Sequence, residues 1–281
     1  MNETENGKEY LRYWDDVIRQ WAGTGVVPDS ERCWFDAGLP LHECLMPEPY
    51  WGDPDNCSAV LLNYNPGGPD GTPSPDDNCH IDNVRNGDTI RMSGAMAGCY
   101  STLATSFPWL DTGKRNDFTS LPSHDATRRW MRRRADWVAR NAGNDRRPFL
   151  LDLCGWHSKN WRLREYTPEI MEYVKTHVMP VLRSSILGSD LGVGLCVGKQ
   201  FGDVVLPQMG FADVTSELGF PVGKPSDGWQ PDSKTSRWYR VYRSGDGVYV
   251  VNTWSVGSNG SPDTRFREYE LQIINKIKSK E

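Results

Sequence analysis

Several chemistries are missing from this chain. Its seven cysteines, at positions 33, 44, 57, 79, 99, 154 and 196, form no C-x-x-C pair, which argues against a zinc ribbon or a four-cysteine cluster. There is no G-x-S-x-G elbow, no phosphate-cradling P-loop and no metal-ligand triad, so serine-hydrolase, P-loop and metal-assisted readings have no anchor. No apolar run approaches the length of a membrane span. The opening Met-Asn-Glu-Thr-Glu is acidic and polar, unlike a secretory leader. An odd number of thiols, with Cys154 and Cys196 inside apolar runs, fits a reducing compartment. Overall positive charge is also absent: the net charge is −5, which speaks against a general nucleic-acid coat protein. The expectation is a cytoplasmic monomer with no membrane partner, no metal and no cofactor.

What is present points to a globular α/β chain. The 281 residues suffice for one large domain, read as a single α/β domain over 1–281 with a helical and irregular N-terminal extension at 1–57. With 27 Gly and 19 Pro the loops are long, and the 12 Trp and 11 Tyr are numerous; flat aromatics fill cores, and they also stack on bases. Charge is unevenly spread, since residues 128–164 carry eleven Arg or Lys against three Asp, a local field that attracts phosphates despite the acidic total.

Four apolar runs read as buried strands: Ala59–Leu62, Pro148–Cys154, Leu191–Val197 and Val248–Asn252. Helical patterns separate them, which predicts a three-layer α/β/α sandwich around a central, mostly parallel four-stranded sheet. Tyr10, Trp14, Val17, Ile18 and Trp21 give residues 4–22 an apolar helical face. Thr167-Pro168-Glu169 starts a helix that runs toward Leu187, with Pro180 as a kink. Residues 236–243 alternate and then turn at Ser-Gly-Asp-Gly, a hairpin with the last core strand. Ile273, Ile274 and Ile277 mark a final helix. Further helices are expected near 92–103 and over 127–142.

The first strand runs into Asn63-Tyr64-Asn65-Pro66-Gly67-Gly68. Pro66 donates nothing to a ladder, and two glycines permit close backbone approach. The second strand ends in Gly155-Trp156-His157-Ser158, polar and flanked by aromatics. The third passes into Gly198-Lys199, where a lysine at a helix start can hold a phosphate. Polar turns after parallel strands lie at the carboxyl edge of the sheet, where open α/β folds place their crevices. His157 suits either proton exchange near neutral pH or the capping of a neighbouring loop. The Gly68–Asp88 stretch is long and polar enough for a binding loop or lid. His42 with Cys44 is too small a set for a metal site.

Asn63-Tyr64-Asn65-Pro66-Gly67 resembles the first motif of the uracil-DNA glycosylase superfamily, in which an N-P-G turn follows the first core strand and its polar residue positions the hydrolytic water. The resemblance extends over residues 45–275 as an order of elements, with residue identity in short stretches only. It implies a monofunctional DNA glycosylase acting on a flipped uracil-like or modified pyrimidine base and leaving an abasic site, with modified foreign DNA such as that of a phage as the setting. Asn65 would orient the water. The backbone around Gly67 and Gly68, or His157, would stabilise the departing base, with Tyr64 or Trp156 stacking on it. Asn63, Pro66 and Ser158 complete the pocket. Lys199 and a basic helix bearing Arg128, Arg132 and Arg133 would hold DNA phosphates; a solvated helix face is the plainer reading of those arginines. The superfamily's second motif, a His-Pro-Ser or Asn-Pro-Ser loop after the last core strand, has no direct counterpart. Trp254 and Ser255, or alternatively Ser258 and Asn259, stand at the comparable place. The missing histidine favours the alternative of a non-catalytic nucleic-acid or nucleotide binder on the same fold. A small-molecule hydrolase or transferase of α/β type ranks third.

Overall fold

The computed structural model describes residues 3–67, 71–73, 80–81, 147–161, 163, 165–222, 228–231, 237–255 and 267–280. Its centre is the run Ala59–Asn63 (β2), whose five residues are all buried because the strand is paired on both sides. Pro148–Asp152 (β3) lies parallel to it on one side and Val193–Val197 (β4) parallel on the other. Tyr249–Ser255 (β7) adds a fourth parallel strand beyond β4. These are the four runs that periodicity picks out. Among the described residues, however, the sheet has seven strands, which corrects the four-stranded expectation. Tyr50–Trp51 (β1) closes one edge antiparallel to β3. Arg237–Ser244 (β6) and Phe211–Asp213 (β5) extend the other edge as antiparallel strands. The order across the sheet is β1-β3-β2-β4-β7-β6-β5. Strands of two and three residues are too short to show an alternation, and β1 sits among prolines.

Side-chain alternation divides the core in two. Val60 and Leu62 face one cluster, while Ala59 and Leu61 face the other. The first cluster takes in the helix Glu3–Thr24 (α1), whose Trp14 and Trp21 are fully buried. The N-terminal helix therefore packs into the core. The short helix Arg32–Asp36 (α2) adds Trp34. Pro168–Tyr173 (α3) is capped by Thr167, whose Oγ1 accepts from the Ile170 N–H at 3.4 Å. It continues through a π-helical turn, Val174–Val178, into Met179–Gly188 (α4). Pro180 falls just beyond that turn and has no N–H to donate, so the widened turn accommodates the residue expected to kink the helix. A second π-helical turn, Phe201–Val205, leads into Leu206–Gln208 (α5). The other face is covered by Arg267–Lys278 (α6) through Ile273, Ile274 and Ile277.

From β2 the chain crosses to β3 on one side and later returns to β4 on the other. Successive connections therefore diverge between β2 and β4, and a crevice is expected at the carboxyl ends there. The predicted helices near 92–103 and over 127–142 lie outside the described residues. No helix among the described residues is long and apolar enough to cross a membrane.

Candidate functional site at the carboxyl edge of the sheet

The turns after β2 and β3 are laced together by backbone hydrogen bonds. Leu153 N donates to Asn63 O and Cys154 N to Tyr64 O, both at 2.9 Å, and Ser158 N donates to Pro66 O at 3.3 Å. Asn65 completes the lacing with its side chain. Its Nδ2 donates to the carbonyls of Pro66 at 2.7 Å, Ser158 at 3.1 Å and Trp156 at 3.3 Å. Only the nitrogen end of an amide can face carbonyl oxygens, so this cradle fixes the orientation of the group. Oδ1 is left with no hydrogen-bond donor among the described residues and stands as a pre-aimed acceptor. Beside it, Gly67 is exposed, and a Cβ built there would meet nothing within 4 Å. The turn thus offers bare backbone to an approaching molecule.

His157 ties the same turn from behind. Its Nδ1 lies 2.7 Å from Gly67 O and its Nε2 lies 3.0 Å from Met46 O. Glu48 Oε1 is 3.9 Å from Nε2. Carbonyls only accept, so both contacts are satisfied together only when both ring nitrogens carry hydrogen. With both nitrogens occupied and the ring 8% exposed, His157 is a strut for the Asn-Pro-Gly turn. Of its two expected parts, proton exchange and the capping of a neighbouring loop, these contacts describe the second.

Both stacking candidates are also placed differently from expectation. Trp156 is fully buried among Trp21 and Phe35, and its Nε1 donates to Glu31 Oε2 at 3.0 Å. Tyr64 lies parallel to Phe201 at 4.3 Å and to Trp161 at 5.3 Å. Its hydroxyl accepts from Gln200 N at 3.0 Å. Desolvation pushes that phenol well above its usual range, so it stays protonated. Tyr64 is braced from both sides, and neither ring has a face free for a base. Asn63 ends β2 and is buried, as is Pro66. Ser158 is buried, with Oγ donating to Asn160 O at 2.9 Å; it serves Asn65 through its backbone.

Across the switch point, β4 is followed by Gly198, with φ +132°, where a Cβ would collide with the Tyr64 ring. Lys199 follows, half exposed, with Nζ 3.9 Å from Asp203 Oδ2. So weak a surface pair leaves the ammonium free to meet a phosphate. Asn252 Nδ2 bridges from β7 to Gly198 O at 2.8 Å. Trp254 is buried, stacked on Trp238 with centroids 6.4 Å apart, and Arg240 lies 5.3 Å over its ring. The Arg240 guanidinium donates to Asp203 Oδ1 at 3.1 Å and to Tyr242 Oη at 3.0 Å. Ser255 ends β7. Gly68, Arg128, Arg132, Arg133, Ser258 and Asn259 lie outside the described residues.

The fold therefore gathers Asn65, Pro66, Gly67, His157 and Ser158 at one point and sets Lys199 and Trp254 across the switch. Sequence reasoning missed Glu31, Gln200 and Arg240. Gln200 donates from Nε2 to Leu163 O at 2.8 Å and accepts from Trp161 Nε1 at 3.2 Å. A lone glutamate in a polar loop and one of three arginines in an alternating strand read as solvated, and nothing in the sequence separates them from that background. Chemically, the site offers one fixed acceptor, exposed main chain and a nearby cation. Among the described residues no group of three His, Cys, Asp or Glu side chains is arranged to hold a metal. Compared with protein-family models, curated proteins and solved structures, the chain has no match in any of the three.

Proposed function

We propose that this protein is a monofunctional DNA glycosylase of the uracil-DNA glycosylase kind, with a three-layer α/β/α architecture. It hydrolyses the N-glycosidic bond of a flipped, uracil-like or modified pyrimidine nucleotide and leaves an abasic site, with modified foreign DNA as its setting. The observation that carries this reading is the cradle of Asn65: three carbonyls hold the amide nitrogen, and the amide oxygen is left to accept a hydrogen from water. Base extrusion is required because the duplex hides the reacting bond. Water held on Oδ1 attacks the sugar carbon as the glycosidic bond breaks; the bonding electrons leave with the base, which takes up the proton that the water gives off. An amide is a poor proton acceptor, so Asn65 contributes orientation and not base catalysis. Main-chain N–H groups at the Gly67–Gly68 turn are the donors assigned to the charge on the departing base. Lys199 and the basic stretch that includes Arg128, Arg132 and Arg133 hold phosphates.

A second reading, a non-catalytic nucleic-acid or nucleotide binder, is favoured by the burial of Trp254 and by the absence of a histidine from residues 253–262. Strand cleavage at abasic sites separates the two. The native chain is incubated with DNA containing uracil, other deaminated bases or modified cytosines, and salt-dependent binding to the same DNA is measured in parallel. Cleavage on any member establishes a glycosylase and names its base class. Binding without cleavage on every member establishes the binder.

A further inference from the structure

Behind the Asn65 cradle lies a buried carboxyl group that the proposed chemistry does not use. Glu31 is 0% exposed. One oxygen accepts from the Tyr13 hydroxyl of α1, and the other accepts from Trp156 Nε1 at 3.0 Å. The Trp156 carbonyl is in turn one of the three that hold Asn65 Nδ2. Trp156 has few other ways to move, since Trp21 and Phe35 pack edge-on against its ring. A continuous path of hydrogen bonds, through the Trp156 indole and its carbonyl, therefore joins the N-terminal segment to the turn that bears the Asn65 amide.

We propose that Glu31 is a positioning residue for Asn65, acting through the Trp156 indole to set where the Trp156 carbonyl, and with it the Asn65 amide, is held. For the reaction itself this rests on the glycosylase reading; the coupling of Glu31 to Asn65 does not. A carboxylate accepts a hydrogen bond more strongly than a neutral carboxyl group, so the hold on the indole depends on the state of Glu31. Burial raises the Glu31 carboxyl to about 7, with hydrogen bonds from Tyr13, Tyr173 and Trp156 opposing the rise. The titratable groups that face it are Tyr10 and Tyr13 from α1, Cys33 from α2, Tyr173 from α3 and Cys154 from the turn after β3. Burial raises every one of them, so they stay neutral. His177 stacks on Tyr13 at 4.2 Å and is itself lowered by burial. No cation stands among these groups to fix Glu31 as the carboxylate. The geometry is thus that of a neutral aromatic nest around one acid whose charge changes in the physiological range.

The test needs no substrate. In nitrogen-15 spectra of the full chain, the Trp156 indole N–H is assigned by its loss in Trp156→Phe and the Asn65 side-chain amide by its loss in Asn65→Ala. The proposal expects both signals to shift with a shared midpoint of about 7 and neither to shift in Glu31→Gln. In Trp156→Phe, which keeps a ring and removes the donor, the Asn65 signal stops titrating, so a poorly folded Glu31→Gln does not leave the question open. An Asn65 signal that stays still while Trp156 moves overturns the proposal. So does a titration of Asn65 that survives in Glu31→Gln, which would trace to a group other than Glu31. If the chain excises a base, single-turnover rates in the native protein fall about tenfold from pH 8 to pH 6 and those of Glu31→Gln do not; identical profiles would overturn the catalytic part alone. Failure to excise any base leaves the spectroscopic result standing, so the two claims fail separately.

Discussion

The two halves of the carboxyl edge are built from different materials. After β2 and β3 the edge is main chain: carbonyls of residues 66, 156 and 158 converge on one amide, and His157 braces Gly67. After β4 and β7 it is side chain, with Lys199, Asp203, Arg240 and Trp254 making ion pairs and ring contacts. A main-chain frame is insensitive to ionic strength and holds geometry to a fraction of an ångström, as a step that depends on orientation requires. The exposed Lys199 on that side is adjustable and screened by salt, which suits contact with a phosphate backbone. On the proposed glycosylase reading the difference separates two roles, with reaction geometry assigned to the β2–β3 side and affinity to the β4–β7 side.

The comparison breaks most sharply at Asn65. Asn65→Asp supplies a better base but turns a carboxylate toward carbonyl oxygens, where an amide had donated. Single-turnover excision is predicted to fall by about 100-fold or more, while DNA affinity measured by anisotropy changes little. A rise in rate would show that the position needs a base. Glu31→Gln comes next. The Glu31 carboxyl is raised from 4.5 to about 7 by burial, so the folded chain binds a proton that the unfolded chain has released. Its contribution to stability is full below about pH 4.5 and is lost as pH rises through about 7. Glu31→Gln is predicted to remove this decline, a difference on the order of 3 kcal/mol between the ends of the window. Denaturant unfolding of both proteins across that range checks the sign, and an unchanged slope would contradict it.

Two glycines sharpen the contrast. Gly198→Ala drives a Cβ into the Tyr64 ring at a φ of +132°, and calorimetry should show a loss of about 1–3 kcal/mol. Gly67→Ala meets nothing within 4 Å, so its stability should stay within about 0.5 kcal/mol of native. Its binding of a flipped nucleotide, measured by anisotropy with an abasic-site analogue, should weaken nonetheless. Equal destabilisation by the two variants would remove the argument that the Asn-Pro-Gly turn is kept bare for a ligand. Lys199→Ala is the smallest change. The slope of log affinity against log salt should fall by about 1 with no measurable change in unfolding.

Much of this frame is legible in the sequence, and the reasons for the rest are physical. The four parallel strands show themselves because strands buried on both faces must be apolar throughout, as Val-Leu-Leu and Phe-Leu-Leu are. The turn at Asn65 shows itself because Pro66 and Gly67 end a strand abruptly. The edge strands do not, because two or three residues carry no period. Residue roles are harder still. Trp156 and His157 read as site residues because they follow a strand, yet Trp156 points into the core and His157 has no nitrogen to spare. Which way a residue faces after a strand ends is set by partners distant in sequence: Glu31 for one and Met46 for the other. Chemistry carried by position along the chain is therefore readable, and chemistry carried by long-range hydrogen bonds is not.

Asn65→Ala tests the central claim most directly. The variant removes the amide while leaving Lys199 and the rest of the β4–β7 side in place. With native protein and variant compared in single-turnover base release on the preferred DNA, the account predicts loss of release in the variant with binding and fold retained. Release at the native rate by Asn65→Ala would contradict it, because the Asn65 amide oxygen would then have no part in the reaction.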